Sequence, residues 1–172
     1  MTGVIHILTG VAFGMLLFLL AAGLSLIYGL MKILNLTHGS FYLVGGYIGL
    51  TVVQLTGSFL LALVAAVLAI ALLGAVIERF FLRQFHLDEL PQTLVTFGFL
   101  FIFSDLSLWI WGGNPLMLNV PRLFQGSMPM GYYAYPYYRL FLIAVGLVVA
   151  GGLWWFQERT RLGTMLRAGV DD

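Results

Sequence analysis

The chain contains no cysteine, which excludes disulfides and thiolate metal sites and leaves the redox compartment unreadable. Charge is nearly as scarce. Asp, Glu, Lys and Arg make up 9% of the 172 residues, against about 25% in a soluble domain. The two signs almost cancel, giving a formal net charge of +1, so there is no basic field for nucleic acid. No G-x-x-x-x-G-K-S/T loop is present to cradle ATP phosphates. No G-x-S-x-G elbow is present to raise a nucleophilic serine. Met1 to Leu8 lack the Lys or Arg of a secretory n-region, so the N-terminus is read as a retained membrane span.

What the chain has instead is apolar surface: 61% of its residues, with a mean hydropathy of +1.01. A chain this poor in charge cannot coat itself for water, and a bilayer removes the need. The expectation is an all-α, polytopic transmembrane helix bundle forming one domain over residues 1–172. A span needs about 20 apolar residues to cross about 30 Å of hydrocarbon. Five stretches qualify, near 8–30, 36–55, 59–77, 93–111 and 140–156. The second is the weakest. It carries Thr37, His38, Gly39, Ser40, Gly45, Gly46 and Gly49, a composition compatible with a broken or re-entrant helix. Residues 78–92 read as the first real loop, and residues 112–139 as a long polar-aromatic connection with four prolines.

Orientation follows from where Lys and Arg gather. Alternating spans place Lys32, Arg79, Arg83, Arg159, Arg161 and Arg167 on one side and only Arg122 and Arg139 on the other. This puts the N-terminus outside and the tail in the cytoplasm. Trp109, Trp111 and the tyrosines between residues 132 and 138 then mark the outer interface, with Trp154 and Trp155 at the inner one. Small residues four apart, at Gly10/Gly14, Ala21/Ser25, Gly45/Gly49, Ala62/Ala66 and Gly146/Ala150, suit close helix contacts.

Two places carry chemistry. Asp105 interrupts the fourth span, where a carboxylate at a helix centre costs about 2.5–3.5 kcal/mol on insertion scales. Either it faces a polar cavity or a partner, or it reaches the water near Trp111; Ser104 and Ser107 would help satisfy it in both cases. The second place is Asn35, Thr37, His38, Gly39 and Ser40. Asn35 or Thr37 can cap a helix here, and free N–H groups at a helix start attract anions. The plain alternative is a capped helix start at the membrane surface. Asn35-x-Thr37 also fits a glycosylation sequon, but on the side read as cytoplasmic. His6, His38 and His86 have no metal-ligand spacing, and no cofactor or metal is expected. Ser40 beside His38 leaves open an intramembrane enzyme that uses Ser40, His38 or Asp105, although adjacency in sequence is not triad geometry.

Several segments together carry a resemblance. Residues 23–40 read GLSLIYGLMKILNLTHGS. This closely resembles the early segment of bacterial branched-chain amino-acid ABC permeases of the high-affinity uptake type, G-L-x-L-x-F/Y-G-x5-N-x-A-H-G, with Thr37 where Ala is usual. Arg159, Thr160, Arg161 and Gly163, followed by Arg167 and Ala168, resemble the family's cytoplasmic R-T-R/K-x-G-x-x-L/M/I-R-A. Glu78, Arg79 and Arg83 resemble its E-R-x-x-x-R loop. Family members are longer, so the likeness implies an N-terminal portion of a permease, or a nonfunctional truncated one.

The resemblance implies a membrane-spanning subunit of an ATP-driven importer for branched-chain or related amino acids, in the bacterial plasma (inner) membrane. It also implies the partners: a second permease subunit, two cytoplasmic ATPase subunits that hydrolyse ATP, and an extracytoplasmic substrate-binding protein. On this reading the chain is not itself an enzyme. Asn35 to Ser40, with Asp105, lie near the substrate path or gate. Glu78, Arg79, Arg83, Arg159, Arg161 and Arg167 contact the cytoplasmic partner.

Overall fold

In hydrocarbon there is no water for unpaired backbone groups, so apolar runs of this length close their hydrogen bonds internally as helices. The computed structural model describes residues 2–31, 34–85, 88–116, 124–130, 133–160 and 163. Five long helices dominate it: α1 (Thr2–Met31), α2 (Thr37–Thr56), α3 (Phe59–Ile77), α4 (Glu89–Trp111) and α5 (Tyr137–Arg159). Four of the membrane-length segments, built on α1, α3, α4 and α5, are long and apolar enough to cross a bilayer. The described chain is a helical membrane bundle.

Two compact units divide the chain. One comprises Met31–Leu118 and the other Met1–Leu30 with Asn119–Asp172.

In the Met31–Leu118 unit, α2 is an unbroken helix rather than the broken or re-entrant one its glycines suggest. Those glycines serve packing. A Cβ on Gly45 would meet Ile70 at 3.3 Å, and one on Gly49 would touch Ala62 and Ala66 at 3.9 Å. The small faces of α2 and α3 thus lie against each other and let the backbones approach. The turn between them is compact. Gly57 takes a left-handed conformation with φ of 69°, and its N–H bonds to the Val53 carbonyl at 2.8 Å. Ser58 then caps α3 by accepting from the Leu61 N–H at 3.4 Å.

The stretch read as a loop from residue 78 is largely helical. After α3 the chain continues through a π turn (Glu78–Leu82) and a 3-10 turn (Arg83–Phe85), making one apolar segment of 27 residues from Phe59 to Phe85. Charge at a helix end does not stop it, because long side chains carry their charge past the apolar zone. α4 starts at Glu89, four residues earlier than expected, with Pro91 inside its first turn where a missing N–H costs nothing.

In the other unit, α1 and α5 meet where Gly146 lies against Met15; a Cβ there would come within 2.6 Å of the sulfur. Gly10 and Gly14, by contrast, face open space, and Ala21, Ser25 and Ala150 line a cleft of about 390 Å³. The connection before α5 holds a two-stranded antiparallel hairpin, β1 (Ser127–Met130) and β2 (Tyr133–Pro136), with Pro129 opposite Ala134 and Pro136 opposite Ser127. Its prolines disguise it in the sequence. In a sheet of two strands both are edges, and an edge tolerates Pro. Tyr135 is buried while Tyr133, two residues away on the same face of the strand, is half exposed.

Candidate functional site

The buried polar side chains of the Met31–Leu118 unit gather along one seam. Thr37 and Ser40 on α2 and Gln92, Thr96 and Ser107 on α4 are all buried. The two helices run parallel. Thr37 lies level with Thr96, Ser40 with Leu100, Phe41 with Phe103 and Tyr47 with Trp111. A buried hydroxyl needs a partner in a medium without water, and here the partners are main-chain carbonyls. Thr37 Oγ1 donates to the Thr96 carbonyl at 2.8 Å, and Ser40 Oγ to the Leu100 carbonyl at 3.1 Å. Thr96 Oγ1 accepts from the Leu36 N–H at 3.2 Å, with the Leu34 carbonyl at 3.2 Å and the Thr93 carbonyl at 2.8 Å in reach of its proton. At the far end the Trp111 indole N–H donates to Thr51 Oγ1 at 2.9 Å, and its ring stacks on Tyr47 at 5.0 Å.

The start of α2 is already satisfied. Asn35 Oδ1 accepts from the Thr37 N–H at 3.1 Å, and the Asn35 carbonyl from the His38 N–H at 3.2 Å. With the Leu36 N–H held by Thr96, three amides at this start are engaged, so it is a capped start rather than an open cradle for an anion. Asn35 acts from one residue before the nominal cap, Leu36, which offers no side-chain bond. His38 is half-buried, and Gly39 is exposed with open space where a Cβ would stand. The Ser40 hydroxyl gives its proton to a backbone carbonyl, not to an imidazole, so Ser40 and His38 do not form a nucleophile–base pair.

Gln92 extends the seam to the corner before α4. Its amide nitrogen donates to the Leu82 carbonyl at 3.3 Å and the Phe85 carbonyl at 2.6 Å, tying the end of the π and 3-10 turns to α4. Its carbonyl oxygen is buried without a partner among the described residues. The sequence reading missed Gln92 by placing it in a loop, and missed Thr96 because Asp105, Ser104 and Ser107 were the polar residues weighed in the fourth span. The available signal was the spacing: Gln92 and Thr96 are four apart, and Thr37 and Ser40 three apart, so each pair shares a helix face.

Asp105 does not join this seam. It lies on the exposed side of α4, about 160° around the helix from Phe103 and Ser107. Ser104 and Ser107 do not satisfy it: their hydroxyls donate back to the Leu100 and Phe103 carbonyls at 2.8 and 2.7 Å. Glu78, Arg79 and Arg83 are exposed at the end of the α3 segment, and Arg159 is exposed in the last turn of α5. Cations suit those positions, since a helix C-terminus carries partial negative charge. Arg161, Arg167 and His86 lie outside the described residues.

Beside the seam, α2 and α3 form an apolar cleft of about 590 Å³, floored by Gly45, Gly46 and Gly49 and flanked by Tyr42, Tyr47 and Leu63. Across both units the described residues hold no group of three or more His, Asp or Glu placed to bind a metal. Hydroxyls committed to carbonyls, an amide at a helix corner and an apolar cleft supply packing and a polar lining. They do not supply an acid–base pair.

A predominantly helical chain of membrane-length segments, with polar side chains bonded at helix contacts, is compatible with a membrane transport subunit. Residues 6–172 match the model of the branched-chain amino acid transport system permease component family, and the chain belongs to that family. It is similar to the high-affinity branched-chain amino acid transport system permease protein BraD of Pseudomonas aeruginosa, at 25% identity over 188 aligned positions. The alignment covers 97% of this chain and 59% of that relative, so the chain spans less than two thirds of the relative's length. No solved structure matches the chain. It is thus a permease component of the inner membrane, of multi-pass helical build.

Proposed function

We propose that the chain is the path-forming subunit of an ATP-driven importer for branched-chain or related amino acids. The observation that carries this reading is the family match across residues 6–172. The partners would be a second permease subunit, two cytoplasmic ATPase subunits and an extracytoplasmic substrate-binding protein. ATP hydrolysis then belongs to a partner chain, which agrees with the lack of a P-loop in this sequence. The N-terminus is assigned outside and the tail to the cytoplasm, on the six-to-two distribution of basic residues.

In this reading Asn35, Thr37, His38, Gly39 and Ser40 border the path or its cytoplasmic gate, beside the polar α2–α4 seam. Glu78, Arg79, Arg83, Arg159, Arg161 and Arg167 face the cytoplasmic partner. Glu78, Arg79, Arg83 and Arg159 are exposed, as such a contact requires.

The test is assembly and coupling. Tagged protein is solubilised from membranes of cells that also express the ATPase and substrate-binding subunits of branched-chain amino acid transport systems from the same source. The ATPase subunits should co-purify, and substrate-loaded binding protein should accelerate their ATP hydrolysis in proteoliposomes. Purified chain that recruits no ATPase from these membranes would overturn the importer reading.

A further inference from the structure

Arg139 is a cation held in place without a counter-charge. Its Nε donates to the Tyr138 hydroxyl at 3.2 Å and its Nη1 to Thr9 Oγ1 at 3.0 Å. The rings of Tyr135 and Tyr138 each lie 5.9 Å from its central carbon. These contacts are all neutral. They orient the guanidinium and leave its charge whole. They also occupy only two of the five N–H groups that a guanidinium carries. The other three meet no acceptor among the described residues.

The surrounding sequence holds no carboxylate to complete the pair. Residues 1–77 and 106–157 contain no Asp or Glu. In the unit formed by Met1–Leu30 and Asn119–Asp172, the acid nearest in sequence is Glu158. It lies 19 residues further along α5, about 28 Å of helix away. The backbone adds to the demand for an anion. Arg139 is the third residue of α5, and helical side chains tilt back toward the helix start. There the Tyr137 N–H is taken by the Gly126 carbonyl. The capping residue, Pro136, makes no side-chain bond, so the Tyr138 and Arg139 amides stay open among the described residues. The partial positive charge of a helix start adds to that of the guanidinium.

Depth selects the anion. α5 has 23 residues, about 35 Å of helix, against about 30 Å of hydrocarbon. Its first turn therefore reaches the headgroup boundary. The exposed rings of Tyr133 and Tyr137 beside it suit that boundary. The anion present there is the phosphodiester of a phospholipid, whose oxygens match the guanidinium fork. The bilayer itself supplies it, and no other protein has to provide it.

We infer that the first turn of α5, through the Arg139 guanidinium and the open amides beside it, binds the phosphate of an anionic phospholipid. A headgroup of net negative charge is preferred to a zwitterionic one, because nothing nearby neutralises the guanidinium. The inference needs the membrane setting alone and is independent of the importer reading.

The test uses the full chain in phosphatidylcholine vesicles that contain a minority of phosphatidylglycerol with a photoreactive headgroup. After irradiation, lipid adducts are mapped by mass spectrometry. They should concentrate on residues 133–141. With the labelled fraction held constant, replacing part of the phosphatidylcholine by unlabelled phosphatidylglycerol should remove them. Replacing it by zwitterionic phosphatidylethanolamine should not. Arg139→Gln should lower the adduct yield about tenfold. Arg139→Lys, which keeps the charge without the fork, should lower it about threefold.

The inference is overturned if residues 133–141 gain no more adduct than the rest of the chain, as when a protein carboxylate already holds the guanidinium. It is equally overturned if Arg139→Gln leaves the yield unchanged. Displacement of the adduct by aqueous inorganic phosphate or leucine would also overturn it, by making this a site for a soluble oxyanion. The lipid competition in native sequence decides the question even if Arg139→Gln fails to insert.

Discussion

The two compact units hold their helices together in different ways. In Met31–Leu118, polar side chains are spread along α4 from Gln92 to Trp111 and bonded to backbone or to α2 over that length. In the unit formed by Met1–Leu30 and Asn119–Asp172, polar contact collects at one end. Arg139 donates to Thr9 Oγ1 at 3.0 Å and to the Tyr138 hydroxyl at 3.2 Å, with its guanidinium 5.9 Å from the Tyr135 and Tyr138 ring centres. Further along, α1 and α5 rely on the fit of Met15 against Gly146. Lipid removes the hydrophobic drive between helices, so shape and hydrogen bonds remain. One unit leans on bonds and the other on shape, and substitutions of each kind should separate them.

The largest effect is expected where shape alone decides. Gly146→Leu would push a side chain into Met15 and should destabilise by about 1–3 kcal/mol, read from denaturant unfolding of the protein in bicelles. Unchanged stability would mean that the α1–α5 contact is not tight. Next comes Thr96→Val, which keeps the shape but leaves the Leu36 N–H without its acceptor. An orphaned buried donor costs about 1–3 kcal/mol, and the intramembrane setting favours the lower half of that range. Ser40→Ala removes one interhelical bond, for which about 0.6 kcal/mol is the average found between membrane helices. Ser107→Ala should be smallest, within about 0.5 kcal/mol, because that hydroxyl bonds only within its own helix. If Ser107→Ala costs as much as Thr96→Val, the seam is held by packing rather than by its cross-helix bonds.

Part of the fold was open to a reader of the sequence, which read residues 1–172 as one domain, and the reasons for the misses are physical. Apolar run length gave five helices and nearly their positions, because backbone satisfaction in lipid leaves few alternatives. The Gly45/Gly49 and Ala62/Ala66 faces were legible as contacts, but that they meet each other depends on the turn at Gly57 and Ser58. The corner at Glu78–Phe85 was misread because charge was taken as the end of helix, whereas exposed Glu78, Arg79 and Arg83 leave the backbone free to continue. Gln92 was lost to that same error. The Ser127–Pro136 hairpin was hidden by Pro129 and Pro136, residues that argue against strand anywhere but an edge. Thr37 was found, while its partner Thr96 sits 59 residues away, a separation no local pattern reveals.

Side-selective cysteine labelling measures the membrane arrangement on which the whole account stands. Gly113→Cys, just beyond α4, and Glu158→Cys, at the end of α5, are treated in intact cells with a maleimide that does not cross membranes. Position 113 should react from outside, and position 158 only after the cytoplasmic face is opened. Labelling of both positions from one compartment would contradict it.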